Sequence, residues 1–198
     1  MSGEFAIAPG LAWALGQAED DSNSGGPRRR GPDPRLALRE WVQNGARTRL
    51  GRMVINGEIT SFEQAISSRL PIREPEIVDA FFQPNLHVEM IGRPRRIQRM
   101  TDSGQRTRFN VMVVVGNKDG VVGLATSKGK EVAATIQKAT NKAKLNMISV
   151  RRGNGSWESG GGPGRSVPMK ITGRAGSTRI TLMPAPTGKG LVIGETGR

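Results

Sequence analysis

An apolar run that directly follows a row of arginines limits the folds open to this chain more than any other feature. Residues Phe109–Val115 are mostly β-branched and apolar, a composition that favours a strand with a covering layer on at least one face. The segment Thr101–Gly104 ahead of it contains the Asp, Ser and Gly of a turn. The sequence therefore predicts a hairpin between this strand and residues 87–100.

A second turn, a third strand and a helix follow the hairpin. Gly116–Gly120 is the predicted turn and Val121–Ala125 the strand. Residues Glu131–Met147 have apolar side chains at helical spacing, which predicts one buried stripe, made of Val132, Ile136, Ala139, Ala143 and Met147. A three-stranded antiparallel sheet covered by one or two helices is the smallest α+β unit that hides such strands. It is also the layout of double-stranded-RNA-binding domains.

The segments around this unit are expected to form three further regions. Residues 1–34 are expected to be a tail, because residues 17–34 are rich in Gly, Pro, Ser and charge; Phe5–Leu15 within it either docks or stays outside the fold. Residues 35–86 are expected to be helical, with helix starts marked by Pro34, Ser61 with Gln64 in capping-box spacing, and Pro75, and with interruptions at Gly51 and Asn56-Gly57.

After the unit at 87–153, residues 154–198 are expected to begin a second domain. It starts with the Gly-rich loop 153–164, which contains Trp157, and continues with strand-like runs at Val167–Thr172, Ser177–Met183 and Leu191–Ile193. Trp157 is expected either to stack on a base or to pack inside the protein.

The residue types exclude most catalytic chemistry. The chain has no cysteine and a single histidine, His87, and the carboxylates of its second half are dispersed. The segment Gly123–Lys130 only superficially resembles a phosphate loop, because Glu131 stands where a Ser or Thr must bind magnesium. The longest apolar runs, such as Val111–Val115, have five residues, far short of the roughly 20 residues that cross a bilayer. We therefore expect a soluble, intracellular protein with no catalytic residue, metal, cofactor, small-molecule substrate or membrane partner.

The charge points instead to a polyanionic partner. The formal net charge is +13, and residues 85–198 carry 20 Lys/Arg against 6 Asp/Glu. Six arginines flank the predicted hairpin turn with only Asp102 among them, and they repel one another unless anions match them. Contact of all six with phosphates predicts a slope of about −5 for log K against log salt. The candidate contacts from charge and position are Arg93, Arg95, Arg96, Arg99, Arg106, Arg108, Lys128, Lys130, Lys138, Lys142, Lys144, Arg151 and Arg152. Lys128 and Lys130 are expected at the start of the helix, where its free N–H groups favour an anion.

Several longer motifs, in order, resemble one family. They are Leu70–Asp79 (LPIREPEIVD), Thr101–Phe109 (TDSGQRTRF), Val113–Asn117 (VVVGN), Lys142–Asn146 (KAKLN), Val150–Gly153 (VRRG), Gly155–Glu158 (GSWE) and Thr181–Leu191 (TLMPAPTGKGL). Together they resemble the universal small-subunit ribosomal protein five family in its archaeal/eukaryotic branch.

The resemblance implies a structural, rRNA-bound component of the small ribosomal subunit. It implies a double-stranded-RNA-binding-like first domain and a βαβ-type second domain, located near the neck and the mRNA where it enters the subunit. The fourth and eighth small-subunit proteins are the implied neighbours, and decoding accuracy is an implied role. The family's hairpin reaches rRNA, which adds Thr101 and Gly104 to the candidate contacts. Family members continue into helices that cover the second sheet. We therefore expect either a truncated second domain here, or a second sheet covered by a neighbouring protein or by rRNA.

Two other classes of function remain open at this stage. One is a free regulatory module that binds double-stranded RNA, and the other is a small-molecule kinase, since second domains of this type also occur in such enzymes. Co-sedimentation with ribosomal subunits would separate a ribosomal protein from a free RNA-binding module. Absence of ATP binding would exclude the kinase.

Overall fold

The computed structural model describes residues 8–15, 34–153 and 166–185, which fall into two units, 1–148 and 149–198. In the first unit five short helices precede the sheet: α1 (Pro9–Leu15), α2 (Pro34–Asn44), α3 (Arg49–Ile55), α4 (Phe62–Ser67) and α5 (Pro75–Phe82). The sheet and its covering helix follow as β1 (His87–Met90), β2 (Arg95–Thr101), β3 (Gly104–Gly116), β4 (Val121–Gly129), α6 (Val132–Leu145) and β5 (Met147–Ser149). The α+β class with an antiparallel sheet is confirmed.

Strand β3 organises the sheet. Its first half pairs with β2 and its second half with β1, so these two strands lie end to end along one edge. Strand β4 pairs along the other edge, from Phe109 opposite Gly129 to Gly116 opposite Val122, and β5 lies beyond it. The two predicted turns are confirmed. The prediction of a single strand over residues 87–100 is wrong. Ile91 N still donates to the Met112 carbonyl oxygen, but the chain then leaves the ladder at residues 92–94, where Pro94 has no N–H to donate. The predicted third strand ended at Ala125, whereas β4 continues to Gly129. Strand β5 was not predicted.

Helix α6 covers one face of this sheet. Val111, Val113 and Val115 are buried on β3, and the odd-numbered residues of β4 lie opposite them. A Cβ at Gly129 would collide with the Thr135 side chain of α6, so the helix lies directly on the odd-numbered side. The even-numbered residues of β3 and β4 point to the other side, which we call the distal face.

Helices α1–α5 share the hydrophobic core with the sheet and α6. The side chain of Lys144 on α6 is buried and forms an ion pair with Asp79 on α5, at 2.7 Å between Nζ and Oδ2. The buried carboxylate of Glu74 accepts hydrogen bonds from the Trp41 indole Nε1 and the Thr48 backbone N, both at 2.7 Å. The Glu74 contacts connect the start of α5 to α2 and to the start of α3, and the Asp79 contact connects α5 to α6. The domain boundaries expected within residues 1–153 stay predictions.

The predicted helices are found, and two others, α1 and α3, were not predicted. The capping box at Ser61 and Gln64 is confirmed, as are the helices that begin at Pro34 and Pro75. The expected interruption at Gly51 is wrong, because Gly51 lies inside α3. A Cβ there would press on Ala46 and on the Trp41 ring, so this glycine allows close packing rather than ending a helix.

In the second unit the described residues form a hairpin of β6 (Ile171–Ala175) and β7 (Thr178–Leu182). The strands were expected to be joined by residues 173–176, but Gly173 pairs opposite Ile180 and the turn is at residues 176–177. Of the expected tail over residues 1–34, the structure describes residues 8–15 and 34, and Pro9–Leu15 forms α1. The rest of that tail, the loop residue Trp157 and the run Leu191–Ile193 lie outside the described residues.

Candidate nucleic-acid interface

A two-stranded ribbon carries most of the arginines. Strands β2 and β3 pair from Arg95 opposite Asn110 to Thr101 opposite Gly104, whereas β4 pairs with β3 only from Phe109 onward. The part of the hairpin before Phe109 therefore extends past β4 as two strands. At its tip the Thr101 hydroxyl donates a hydrogen bond to the Gly104 carbonyl oxygen at 2.7 Å, which closes the turn.

The register places four of these arginines on the distal face. Directly opposite residues of antiparallel strands share a face, and successive residues alternate. Arg95 lies opposite Asn110, and Arg99 lies opposite Arg106. Arg108 lies opposite Ile97 on the same side, and Lys128 of β4 joins them because it pairs with Asn110. We call these five cations the distal basic patch: Arg95, Arg99, Arg106, Arg108 and Lys128.

The patch is exposed and electrostatically unbalanced. All five side chains are exposed, and within residues 8–15, 34–153 and 166–185 none of them pairs with a carboxylate. Arg99 and Arg106 are direct cross-strand neighbours, an arrangement that destabilises a sheet when the charges are alike. A surface of guanidinium groups without acidic partners suits phosphate, which guanidinium binds with two parallel hydrogen bonds.

The other hairpin candidates lie elsewhere. Arg96 points to the face opposite the patch, since it pairs with Phe109, and Arg93 lies in the segment between β1 and β2. Both are exposed. Residues two apart in a strand share a face, as Arg106 and Arg108 do on β3. Arg93 is outside the strand and so does not share a sheet face with Arg95.

The lysines divide into three groups. Lys128 is a strand residue, not part of the helix start, and Lys130 lies exposed in the turn before α6. Lys138 and Lys142 are exposed on α6, on the opposite side of the sheet from the patch, and the Lys142 Nζ donates to the Thr126 carbonyl oxygen at 3.4 Å. Lys144 was a candidate RNA contact, but its ammonium is buried against Asp79. It is therefore not available to RNA.

The second unit contributes two candidates that the structure describes. Arg151 and Arg152 are exposed, and Arg152 has an internal partner. Trp157 lies outside the described residues. These positions are kept as predictions and are not combined with the distal basic patch.

Asn110 lies on the same face as the distal basic patch, a position that charge alone does not reveal. Its side chain lies on the distal face between Arg95 and Lys128. The available signal was its position in the alternation, since residues 106, 108 and 110 must share one face of a strand. Sequence reasoning treated this residue as part of the apolar run.

The described residues also bear on metal binding, on the single histidine and on membrane insertion. Among the residues that the structure describes, no group of three His, Cys, Asp or Glu side chains could hold a metal ion. His87 is exposed at the start of β1. No helix within the described ranges is long and apolar enough to span a membrane.

Comparison with known proteins gives consistent matches. A family model described as "Ribosomal protein S5, N-terminal domain" matches residues 91–151, which include the whole distal basic patch. Three relatives are each named "Small ribosomal subunit protein uS5". The protein from Methanospirillum hungatei is 52% identical, over 80% of this chain and 75% of its own length. Those from Thermoplasma acidophilum and Methanothrix thermoacetophila are 48% and 45% identical, over 80% of this chain and 70% and 76% of their lengths.

Proposed function

The chain belongs to the uS5 family of small ribosomal subunit proteins, and we propose that it binds small-subunit rRNA through the distal basic patch. As a member of this family it is a cytoplasmic component of the small ribosomal subunit and takes part in translation. The proposal concerns how it is held there, by neutralisation of phosphates and recognition of RNA shape.

The observation that carries the proposal is the direct cross-strand pairing of Arg99 with Arg106. Cross-strand side-chain pairs normally stabilise a sheet, whereas two like charges directly opposite each other destabilise it. Neither side chain has a carboxylate partner within the described residues. An anion that lies across both guanidinium groups turns this repulsion into attraction, which is the role a phosphate backbone fulfils.

We extend the proposal to the fold of residues 87–153, which we interpret as double-stranded-RNA-binding-like. An antiparallel sheet with α6 on one face, preceded by α5, supports this interpretation. For the second unit we keep the βαβ-type fold as a proposal, and the β6–β7 hairpin would be its first part.

From the family resemblance we propose a finer placement and role. The protein lies near the neck of the subunit and near the point where mRNA enters. It contacts the fourth and eighth small-subunit proteins and influences decoding accuracy. The exposed Lys138 and Lys142 of α6, together with Lys130, offer a second basic surface for RNA or for these neighbours. We propose no enzymatic activity.

The test compares two charge-matched variants in binding to an rRNA fragment. With five phosphates contacted, log K of the wild type should fall against log salt with a slope of about −4.5. Replacement of Arg99 and Arg106 by Gln should reduce the steepness by about 1.8. Replacement of Arg93 and Arg96 by Gln removes the same charge outside the patch and should change the slope little. Equal effects of the two variants would contradict the assignment of the interface to the distal face.

Incorporation into subunits provides the second measurement. The full chain should co-sediment with small subunits through a salt wash, and the Arg99/Arg106 variant should be released at lower salt than the Arg93/Arg96 variant. A protein that binds duplex RNA but is washed from subunits as easily as from unrelated RNA would instead be a free RNA-binding module.

A further inference from the structure

A neutral amide stands in the middle of the distal basic patch. Asn110 is directly opposite Arg95 on one side and directly opposite Lys128 on the other. Cross-strand neighbours have Cβ atoms about 5 Å apart, so the three side chains form a straight row across three strands. Both outer members are exposed cations, and only the central residue is uncharged.

The amide oxygen in this row is a buried hydrogen-bond acceptor. The Oδ1 atom of Asn110 is buried, and it accepts no hydrogen bond from any residue that the structure describes. Most buried polar atoms in proteins have a partner, so an exception calls for an explanation. The flanking cations do not supply one, although both carry donors and both are direct neighbours.

The chemistry of the missing partner differs from that of a phosphate. An amide oxygen only accepts hydrogen bonds, and phosphate oxygens at neutral pH also only accept. A phosphate held by Arg95 or Lys128 therefore leaves the Asn110 oxygen unsatisfied. A hydroxyl group can donate to it. In RNA the ribose 2′-hydroxyl lies between consecutive phosphates of a strand and is both donor and acceptor, whereas DNA lacks it.

We propose that Asn110 accepts a hydrogen bond from a ribose 2′-hydroxyl while Arg95 and Lys128 hold the phosphates on either side. When the two exposed cations extend towards phosphates, they move away from the row, and the soft terminal torsion of the Asn side chain lets the oxygen turn outward. Asn110 thereby makes the patch selective for RNA over other polyanions. This inference rests on the proposed rRNA binding.

The test uses an RNA duplex and the same duplex with 2′-fluoro riboses, which keeps the A-form geometry and the phosphates but has no 2′-hydroxyl donor. The wild type should bind the unmodified duplex about three- to tenfold more tightly, the range expected for one neutral hydrogen bond. Asn110→Ala should lose this preference, through weaker binding of the unmodified duplex alone. Gln98→Ala is the matched control, because it removes an exposed amide on the other face of the ribbon, and it should retain the preference.

Three outcomes separate the possible failures. Equal weakening of both duplexes by Asn110→Ala, or an unchanged preference, would overturn the role of Asn110. The salt slope of Asn110→Ala should equal that of the wild type, since no charge is lost. A wild type with no steep salt dependence would contradict the proposed function itself. Urea unfolding checks the fold: removal of an unpaired buried oxygen should leave the midpoint unchanged or raise it.

Discussion

Replacement of Arg106 by Gln should stabilise the free protein and weaken its binding to RNA, two effects of opposite sign from one substitution. Arg106 is exposed and lies directly opposite Arg99 in the ribbon, with about 5 Å between their Cβ atoms. Two unit charges at that distance in water repel by about 0.8 kcal/mol. Because both side chains are exposed and long enough to separate, we expect a gain of about 0.4 kcal/mol in the free energy of unfolding.

The loss in binding is larger than this gain. One phosphate contact contributes about 0.9 to the slope of log K against log salt, which corresponds to about an eightfold loss of affinity in 0.1 M salt. The stabilisation should itself disappear at 1 M salt, where the screening length falls to about 3 Å. If RNA binds as proposed, the repulsion that lowers the stability of the free ribbon is relieved in the complex.

The assay pairs urea unfolding with RNA titration, each at low and high salt. Arg96→Gln is the matched control, because Arg96 is also exposed on β2 but lies opposite Phe109 on the other face; it should neither stabilise the protein nor change the salt slope. In a double-mutant cycle, Arg99→Gln should add no stability once Arg106 has been replaced. If Arg106→Gln destabilises the protein at low salt, or stabilises it equally at 1 M salt, repulsion between these two residues is not the cause.

Two further predictions concern the buried carboxylates that fasten the helices. Lys144→Met should lower the free energy of unfolding by about 3 kcal/mol in urea titrations, because it leaves the Asp79 carboxylate buried without its cation; additional replacement of Asp79 by Leu should restore most of the loss, and no recovery would indicate a packing defect instead. Glu74→Gln should cost about 1–3 kcal/mol, since one amide N–H must face either the Trp41 or the Thr48 donor; an unchanged Trp41 indole resonance in NMR spectra, with unchanged stability, would contradict it.

Local signals in the sequence were sufficient for most of the elements. The capping pair Ser61 and Gln64 and the prolines at 34 and 75 act within one helical turn, so their effect is readable without the rest of the fold. Helix α3 was missed because Gly51 is a poor helix residue on its own. Its packing against Trp41 and Ala46 depends on contacts that no local pattern contains.

The candidate interface was only partly predictable for the same reason. Alternation shows which residues of a strand share a face, but it does not show which face a helix covers. The position of α6 decides that, and it is fixed by tertiary contacts such as the one between Gly129 and Thr135. Burial of Lys144 was also hidden, because its partner Asp79 lies 65 residues earlier in the chain.

Strand β3 joins the core and the interface within one continuous ladder. A shift of its pairing by one residue would turn Val111, Val113 and Val115 out of the core, so the hydrophobic pattern fixes the register. The same register continues without interruption into the ribbon and sets Arg106 opposite Arg99. Among the described residues, no third strand pairs with the ribbon before Phe109, so its register depends on the part of β3 that lies in the sheet. Burial of the valines therefore holds the cations in an arrangement that they would otherwise avoid, ready for a phosphate backbone.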